Sequence, residues 1–380
     1  MRIILFTGKG GVGKTTIAAA TGAYASTLNK KVLIISVDPA HSLSDVLEVE
    51  LEAEPKEVFK NFFAQEVDVY YSVEKFWGEL KDYIRDLFQW KGVDEILAEE
   101  LSVLPGMEEV SSFLWINKHL KDGIYDVIIL DAAPTGETLR FLSIPDVAKW
   151  WIDKILPLQK KIVKIVRPAV KAITDFPLPE DETYDAAEQL FNDLFFLYKT
   201  LQNPLISSIR LVTNPEKMVL RETERAFTYL HLYGYPVDAV ILNRVVDENN
   251  FLYEIQKSYL ERVEKSFEPL PLFKVPYYSK EILGFDNLTK LGEEIYGSED
   301  PLKVFYRDNP FEILSMDGKY ILKLYFRNLK KDKASVFQRG EDLVIRIGNQ
   351  KRHFYLPRVL TSKIAKEAII RDNSLEIIFE

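Results

Sequence analysis

At 380 residues the chain has room for two or three domains and a large core. Its 47% hydrophobic and 28% charged composition is that of a soluble globular protein, and the net charge of −9 argues against nucleic acid as its main partner. It has no cysteine, which excludes disulfides, thiolate metal sites and iron–sulfur clusters. It has neither a charged-then-apolar leader nor an uncharged run near the roughly 18–20 residues of a spanning helix, so the expected location is cytoplasmic.

The first apolar run, Arg2–Thr7, predicts a strand and leads straight into Gly8-Lys9-Gly10-Gly11-Val12-Gly13-Lys14-Thr15-Thr16. This is G-x-x-x-x-G-K-[ST] between a strand and a helical run, Thr15 to Leu28, the context that a nucleotide-binding phosphate loop requires. Its glycines let successive N–H groups turn inward on a phosphate chain. Lys14 reaches the β- and γ-phosphates, the Thr15 hydroxyl suits Mg²⁺, and the helix adds its positive N-terminal dipole. A loop needs one lysine for its own nucleotide. The second, Lys9, suggests a residue that reaches another subunit's phosphates.

Further candidate strands are Lys31–Val37, Val67–Ser72, Val127–Leu130, Ser208–Val212, Val237–Leu242 and Leu272–Val275, alternating with helical stretches. Their unbroken Val/Ile/Leu character and this alternation predict a mostly parallel sheet covered on both faces, with ligands at the strands' carboxyl ends. Strand Lys31–Val37 delivers Asp38, and Val127–Leu130 delivers Asp131, to the edge that carries the phosphate loop. A hydrolysing site needs one carboxylate for the attacking water and another for the Mg²⁺ shell. A helix N-cap is the alternative for either aspartate alone.

The loop resembles the deviant Walker A of the SIMIBI class, in which the extra lysine acts in trans across a dimer. With Asp38-Pro-Ala-His-Ser-Leu-Ser-Asp45 and Asp131-Ala-Ala-Pro-Thr-Gly-Glu-Thr-Leu-Arg-Phe-Leu142 it resembles the phosphate loop and two switches of the ArsA-type ATPases. Leu104-Pro-Gly-Met-Glu-Glu109, Pro215-Glu-Lys-Met and Arg221-Glu-Thr-Glu-Arg225 extend the resemblance over about residues 1–297. That family includes arsenite-pump ATPases and ATPases that target tail-anchored proteins. The resemblance implies ATP hydrolysis with Asp38, Lys9 and Lys14 as catalytic residues. It further implies Mg²⁺ held by Thr15, by Asp131 through its water shell and by the Asp38 water network. Glu216 and Asn243 would contact base or ribose, and the loop from Pro276 and Tyr277 to Gly284 would wrap the adenine. Asn243 also reads as a turn residue after a strand. His41 reads as a polar residue of the first switch, and His119, His231 and His353 suggest no metal cluster.

The segment Lys149 to Thr174, with Trp150 and Trp151, has helical apolar periodicity broken by Pro157 and Pro168, and a second apolar stretch runs from Phe76 to Trp115. Such stripes normally face a core. In the targeting ATPases helices at about 75–120 and 147–200 build a groove for hydrophobic client helices. After Gly297-Ser-Glu-Asp-Pro301 the texture becomes short alternating strands: Tyr320–Phe326, Asp342–Ile347, Lys351–Leu356, Ala368–Ile370 and Leu375–Phe379. Residues 311–380 resemble the α-crystallin (small-heat-shock) domain attached to some ArsA-like proteins. The sequence ends on its last strand, which argues against large heat-shock-type assemblies.

The expected fold is thus α/β. A mostly parallel P-loop NTPase sheet with an inserted helical subdomain (1–300) leads through a linker (301–310) to a small all-β sandwich (311–380). The expected function is an ATP-driven homodimeric switch that shields or targets hydrophobic helices, with a membrane receptor as a further partner, and without zinc or nucleic acid. Alternatives are the energising subunit of an arsenite efflux pump, disfavoured because thiolates bind As(III), and a membrane-surface partitioning ATPase. The latter would end in a basic amphipathic helix.

Overall fold

The computed structural model describes residues 1–38, 42–101, 107–132, 135, 136, 138, 139, 142, 177–307, 310–316, 319–325, 334–340, 342–348, 350–356, 358–371 and 374–380. His41, the segment Lys149–Thr174 with Trp150 and Trp151, and Ala133, Pro134, Glu137, Arg140 and Phe141 of the second switch lie outside the described residues.

Eight strands form the main sheet: β1 (Arg2–Thr7), β2 (Val32–Ser36), β3 (Lys56–Phe59), β4 (Phe62–Glu66), β5 (Val127–Asp131), β6 (Ser207–Thr213), β7 (Val237–Val245) and β8 (Leu272–Pro276). Their order is β3-β4-β2-β5-β1-β6-β7-β8, and every pairing is parallel except the β3–β4 hairpin. Side chains alternate between two cores. Ile3, Leu5, Leu33, Ile35, Ile128 and Leu130 face one, and Ile4, Phe6, Val32, Ile34, Val127 and Ile129 face the other. Continuous apolar runs are what a strand buried on both faces must have.

The expected strand at Val67–Ser72 is not a strand. Asp68 caps helix Val69–Trp90, its Oδ1 accepting from Tyr71 N at 2.7 Å, and the sheet strand is the preceding β4. Local capping chemistry here overrides the β-branched composition. The β3–β4 hairpin, turning at Asn61 with φ 62°, had no counterpart among the expected strands.

The tail folds as two antiparallel sheets. One has the order β14-β15-β10-β9, from β9 (Phe311–Met316), β10 (Lys319–Tyr325), β14 (Ala365–Arg371) and β15 (Ser374–Phe379). The other has the order β11-β12-β13, from β11 (Ala334–Arg339), β12 (Asp342–Ile347) and β13 (Gln350–Tyr355). Leu322, Leu324, Leu343, Ile345, Ile377 and Phe379 fill the space between them, and Leu232, the penultimate residue of helix Lys217–Tyr233, joins this core. At the same helix end Arg352 donates to Leu232 O, His231 Nδ1–H to Tyr325 O at 3.1 Å, and Tyr233 Oη to Gln350 at 3.0 Å. A cation meeting the free carbonyls of a helix C-terminus is favourable. Among the described residues no helix is long and apolar enough to cross a membrane.

A buried charge cluster holds the segment between the two regions against the sheet's opposite edge. Asp238 is fully buried and accepts from Arg2 (3.2 Å), Arg210 (3.4 Å) and Phe305 N (3.4 Å). The guanidiniums also reach Leu302 O (3.3 Å), Lys303 O (3.2 Å) and Tyr296 Oη (3.0 Å). Asp238→Ala leaves two buried cations facing each other. Denaturant unfolding should show a loss of about 3–5 kcal/mol, far above that of an exposed pair such as Lys274–Glu264.

Candidate functional site

The phosphate loop follows β1, the middle strand of the trio β5-β1-β6. Gly13 has φ 92° and ψ 28°, a left-handed conformation that favours glycine, and it serves as N-cap of helix Lys14–Thr27. Gly8 passes so close to β6 that a Cβ there would sit 2.1 Å from Val212 O. Lys14 is buried, Lys9, Thr15 and Thr16 are half-buried, and Gly10 and Gly11 are exposed. No side chain caps the N–H groups at the start of that helix, and helix N-termini of this kind favour anions.

Strand register brings both aspartates to this loop. Ser36 and Phe6 each pair with Asp131 across β5, Val37 N donates to Asp131 O at 3.0 Å, and Ala132 N donates to Phe6 O at 3.2 Å. Asp38 therefore lies two residues past β2's pairing with Asp131, and Gly8 two residues past β1's. Thr135 N donates to Gly8 O (3.2 Å) and Thr7 Oγ1 to Thr138 Oγ1 (3.1 Å), which ties the second switch to the loop. The Thr15 and Ser42 hydroxyls are 3.2 Å apart, joining the loop to the first switch.

Asp131 is fully buried, and neither carboxylate oxygen completes a hydrogen bond with a described residue. Burial pushes its pKa up to about 7. The nearby Thr15 hydroxyl and Lys14 ammonium oppose that rise, while the carboxylates of Asp38 and Glu66 add to it.

Beside the loop opens a cavity of about 750 Å³ lined by Gly13, Thr16, Asn243, Pro276 and Tyr277 among others. Segments distant in sequence thus meet where the nucleoside part of a ligand would lie. Asn243 does more than mark a turn. Its Nδ2 donates to Val12 O at 2.8 Å and its Oδ1 accepts from Arg244 N at 2.9 Å, so in this state it braces the phosphate loop. Glu216 is not brought into the cavity lining. It is exposed at the N-cap of helix Lys217–Tyr233. Three residues of this region carried no local signal. Glu66 accepts from Ser44 N at 2.9 Å, and Arg244 and Gln256 flank the end of β7. The β-rich pattern Val67–Ser72 begins only after β4 has ended at Glu66, so it does not point to this carboxylate. His119 is buried against Gln65 (2.8 Å), and burial pulls its pKa down to about 4, so it is a neutral core residue that does not line the cavity.

A family model described as anion-transporting ATPase matches residues 1–297. The chain belongs to the ArsA-type anion-transporting ATPase family. A second model, described as an HSP20-like domain found in ArsA, matches residues 317–379 of this family member. It is 45% identical to "Putative arsenical pump-driving ATPase 1" of Aquifex aeolicus over 97% of this chain and 99% of that one. It is 37% identical to "Putative arsenical pump-driving ATPase" of Chlorobaculum tepidum, over 100% and 96%. It is also 29% identical to "ATPase get3" of Aspergillus terreus, over 77% and 90%. This ArsA-type protein is therefore an ATPase that binds nucleotide, built as the sequence implied: a mostly parallel sheet with helices, then a small antiparallel β region.

The raised Asp131 pKa has a stability consequence in the nucleotide-free, chelator-treated chain. The folded form holds this proton more tightly than an unfolded carboxylate, with its ordinary value of 3.8. Stability is thus full below about pH 4 and falls as pH rises through about 7. Asp131→Asn should be more stable than wild type at pH 8 by a few kcal/mol, the difference vanishing near pH 4 in thermal or urea unfolding.

Proposed function

We propose that this ATPase is a homodimeric switch that hydrolyses ATP between two chains and uses the cycle to shield or target hydrophobic helices. The observation that carries the catalytic part is the placement of Asp38 and Asp131 at the ends of β2 and β5, beside the loop that follows β1. Lys14 and the loop N–H groups hold the phosphates. Asp38 orients the attacking water and receives its proton, and Lys9 extends to the γ-phosphate of the partner chain. Thr15 and Asp131 suit a hydrated Mg²⁺: a hydroxyl at the loop and a buried, unpartnered carboxylate behind it. Held by these residues, Mg²⁺ would supply neutralisation of the negative charge on the phosphoryl oxygens. A cation there also removes the cost of ionising Asp131.

Asp38→Asn should bind ATP like wild type while losing at least about 100-fold in kcat, read by calorimetry and phosphate release. Lys9→Ala should lose activity with Lys14 intact, and mixing with a Lys14→Ala chain should restore part of it. A chain that stays monomeric in sedimentation with saturating non-hydrolysable ATP analogue refutes the dimer.

Support for the client role comes from apolar side chains left outside the two sheet-face cores. Trp90, Ile96 and Leu97, at the end of helix Val69–Trp90 and on the following helix Glu95–Leu101, are exposed, Ile96 by 77%. Clustered exposed apolar residues mark binding surfaces, and an amphipathic helix suits an apolar trough. The relative named ATPase get3 and the HSP20-like match favour the same direction. The names of the arsenical pump-driving relatives favour a second reading, the energising ATPase of an efflux system. Photocrosslinking of a hydrophobic-tailed peptide to positions 90 and 96 should succeed in one nucleotide state. Absence of capture together with arsenite-stimulated hydrolysis would decide for efflux.

A further inference from the structure

Arg244, the residue after Asn243 near the end of β7, has φ +61°. A residue with a Cβ rarely adopts this left-handed conformation, and it persists only where the surroundings impose it. Here three side-chain hydrogen bonds do so. Gln256, buried on helix Tyr253–Phe267, donates from Nε2 to Arg244 O at 3.1 Å and accepts at Oε1 from Val246 N at 3.0 Å. Asn243 Oδ1 accepts from Arg244 N at 2.9 Å, while its Nδ2 holds Val12 O of the phosphate loop. Tyr277 N then donates to Val245 O at 2.9 Å, tying in the loop after β8.

The result is a cation on the wall of the nucleoside cavity, which Gly13, Thr16 and Tyr277 also line. Arg244 is exposed, and among the described residues its guanidinium has no acceptor at hydrogen-bond distance. Asp45 and Glu281 line the same cavity without forming an ion pair with it. A planar, weakly hydrated guanidinium stacks on aromatic faces, and every nucleobase offers one.

We propose that Arg244 is a nucleoside-binding residue whose guanidinium stacks on the purine face, and that Gln256 and Asn243 impose the left-handed backbone that aims it there. This rests on the ATP-site reading above. Arg244 adds base affinity that the phosphate-binding elements cannot supply, and Gln256 is a positioning residue acting through the backbone.

The test measures ATP and inorganic tripolyphosphate binding to the full-length chain by calorimetry, with kcat and KM alongside. Arg244→Gln should weaken ATP binding about 3–30-fold, raise KM correspondingly, and leave kcat and tripolyphosphate affinity unchanged. Arg244→Gly, free to adopt this backbone, should melt no lower than wild type and yet bind ATP as weakly as Arg244→Gln. Gln256→Met should lower the ratio of ATP to tripolyphosphate affinity in the same sense. Wild-type ATP affinity in Arg244→Gln or Arg244→Gly overturns the proposal. An equal loss for ATP and tripolyphosphate also overturns it, since Arg244 would then be a phosphate ligand. Failure of the wild-type chain to bind ATP would instead refute the site itself.

Discussion

Parallel pairing of β5 with β2 on one side and β1 on the other is the constraint on which the site depends. With Ser36 and Phe6 both in register with Asp131, the main chain alone places Asp38, the second switch and the first glycine of the loop at one edge. No side-chain contact is needed to bring them together. All three strands are buried on both faces, so a one-residue slip would exchange the two cores. The register that delivers the carboxylates is therefore defended by the packing of the whole sheet.

That packing also creates the unusual electrostatics. Asp131 sits where the sheet and its covering layers exclude water, beside Thr15 and Lys14 and not far from two other carboxylates. An ionised aspartate buried in this way costs stability. A bound phosphate–cation pair relieves the same penalty, so ligand binding and local stability are linked through one carboxylate. The Asp238 cluster is the counterpart at the other edge. There the charges are paired, and they fasten Leu302–Phe305 beneath the sheet.

Helix Lys217–Tyr233 makes the β-sandwich a part of the molecule and not an appendage. It starts just after β6 ends, near the phosphate loop, where Thr223 Oγ1 donates to Thr213 Oγ1 at 3.0 Å. It ends with Leu232 inside the sandwich core and its last carbonyls satisfied by Arg352. One rigid element thus touches both regions, and its C-terminal partners come from strands 94 to 120 residues away.

The phosphate loop, the two aspartates, the alternation of strand and helix and the change of texture after residue 300 could all be read locally. Each depends on residue types at fixed spacing. Sequence and structure part where a nearby group decides the outcome: Asp68 turns Val67–Ser72 into a helix start. Glu216 and Asn243 sit on the expected side of the sheet, but only one of them lines the cavity. By itself, then, the sequence determined which chemical groups are present and which strand ends carry them, because backbone propensity and apolar period act over a few residues. Only the tertiary structure decided how strongly Asp131 holds its proton, what Asn243 braces and where Arg244 points. Burial of Asp131 and the brace from Asn243 to Val12 join segments far apart in sequence, and the left-handed backbone of Arg244 needs Gln256 from the following helix.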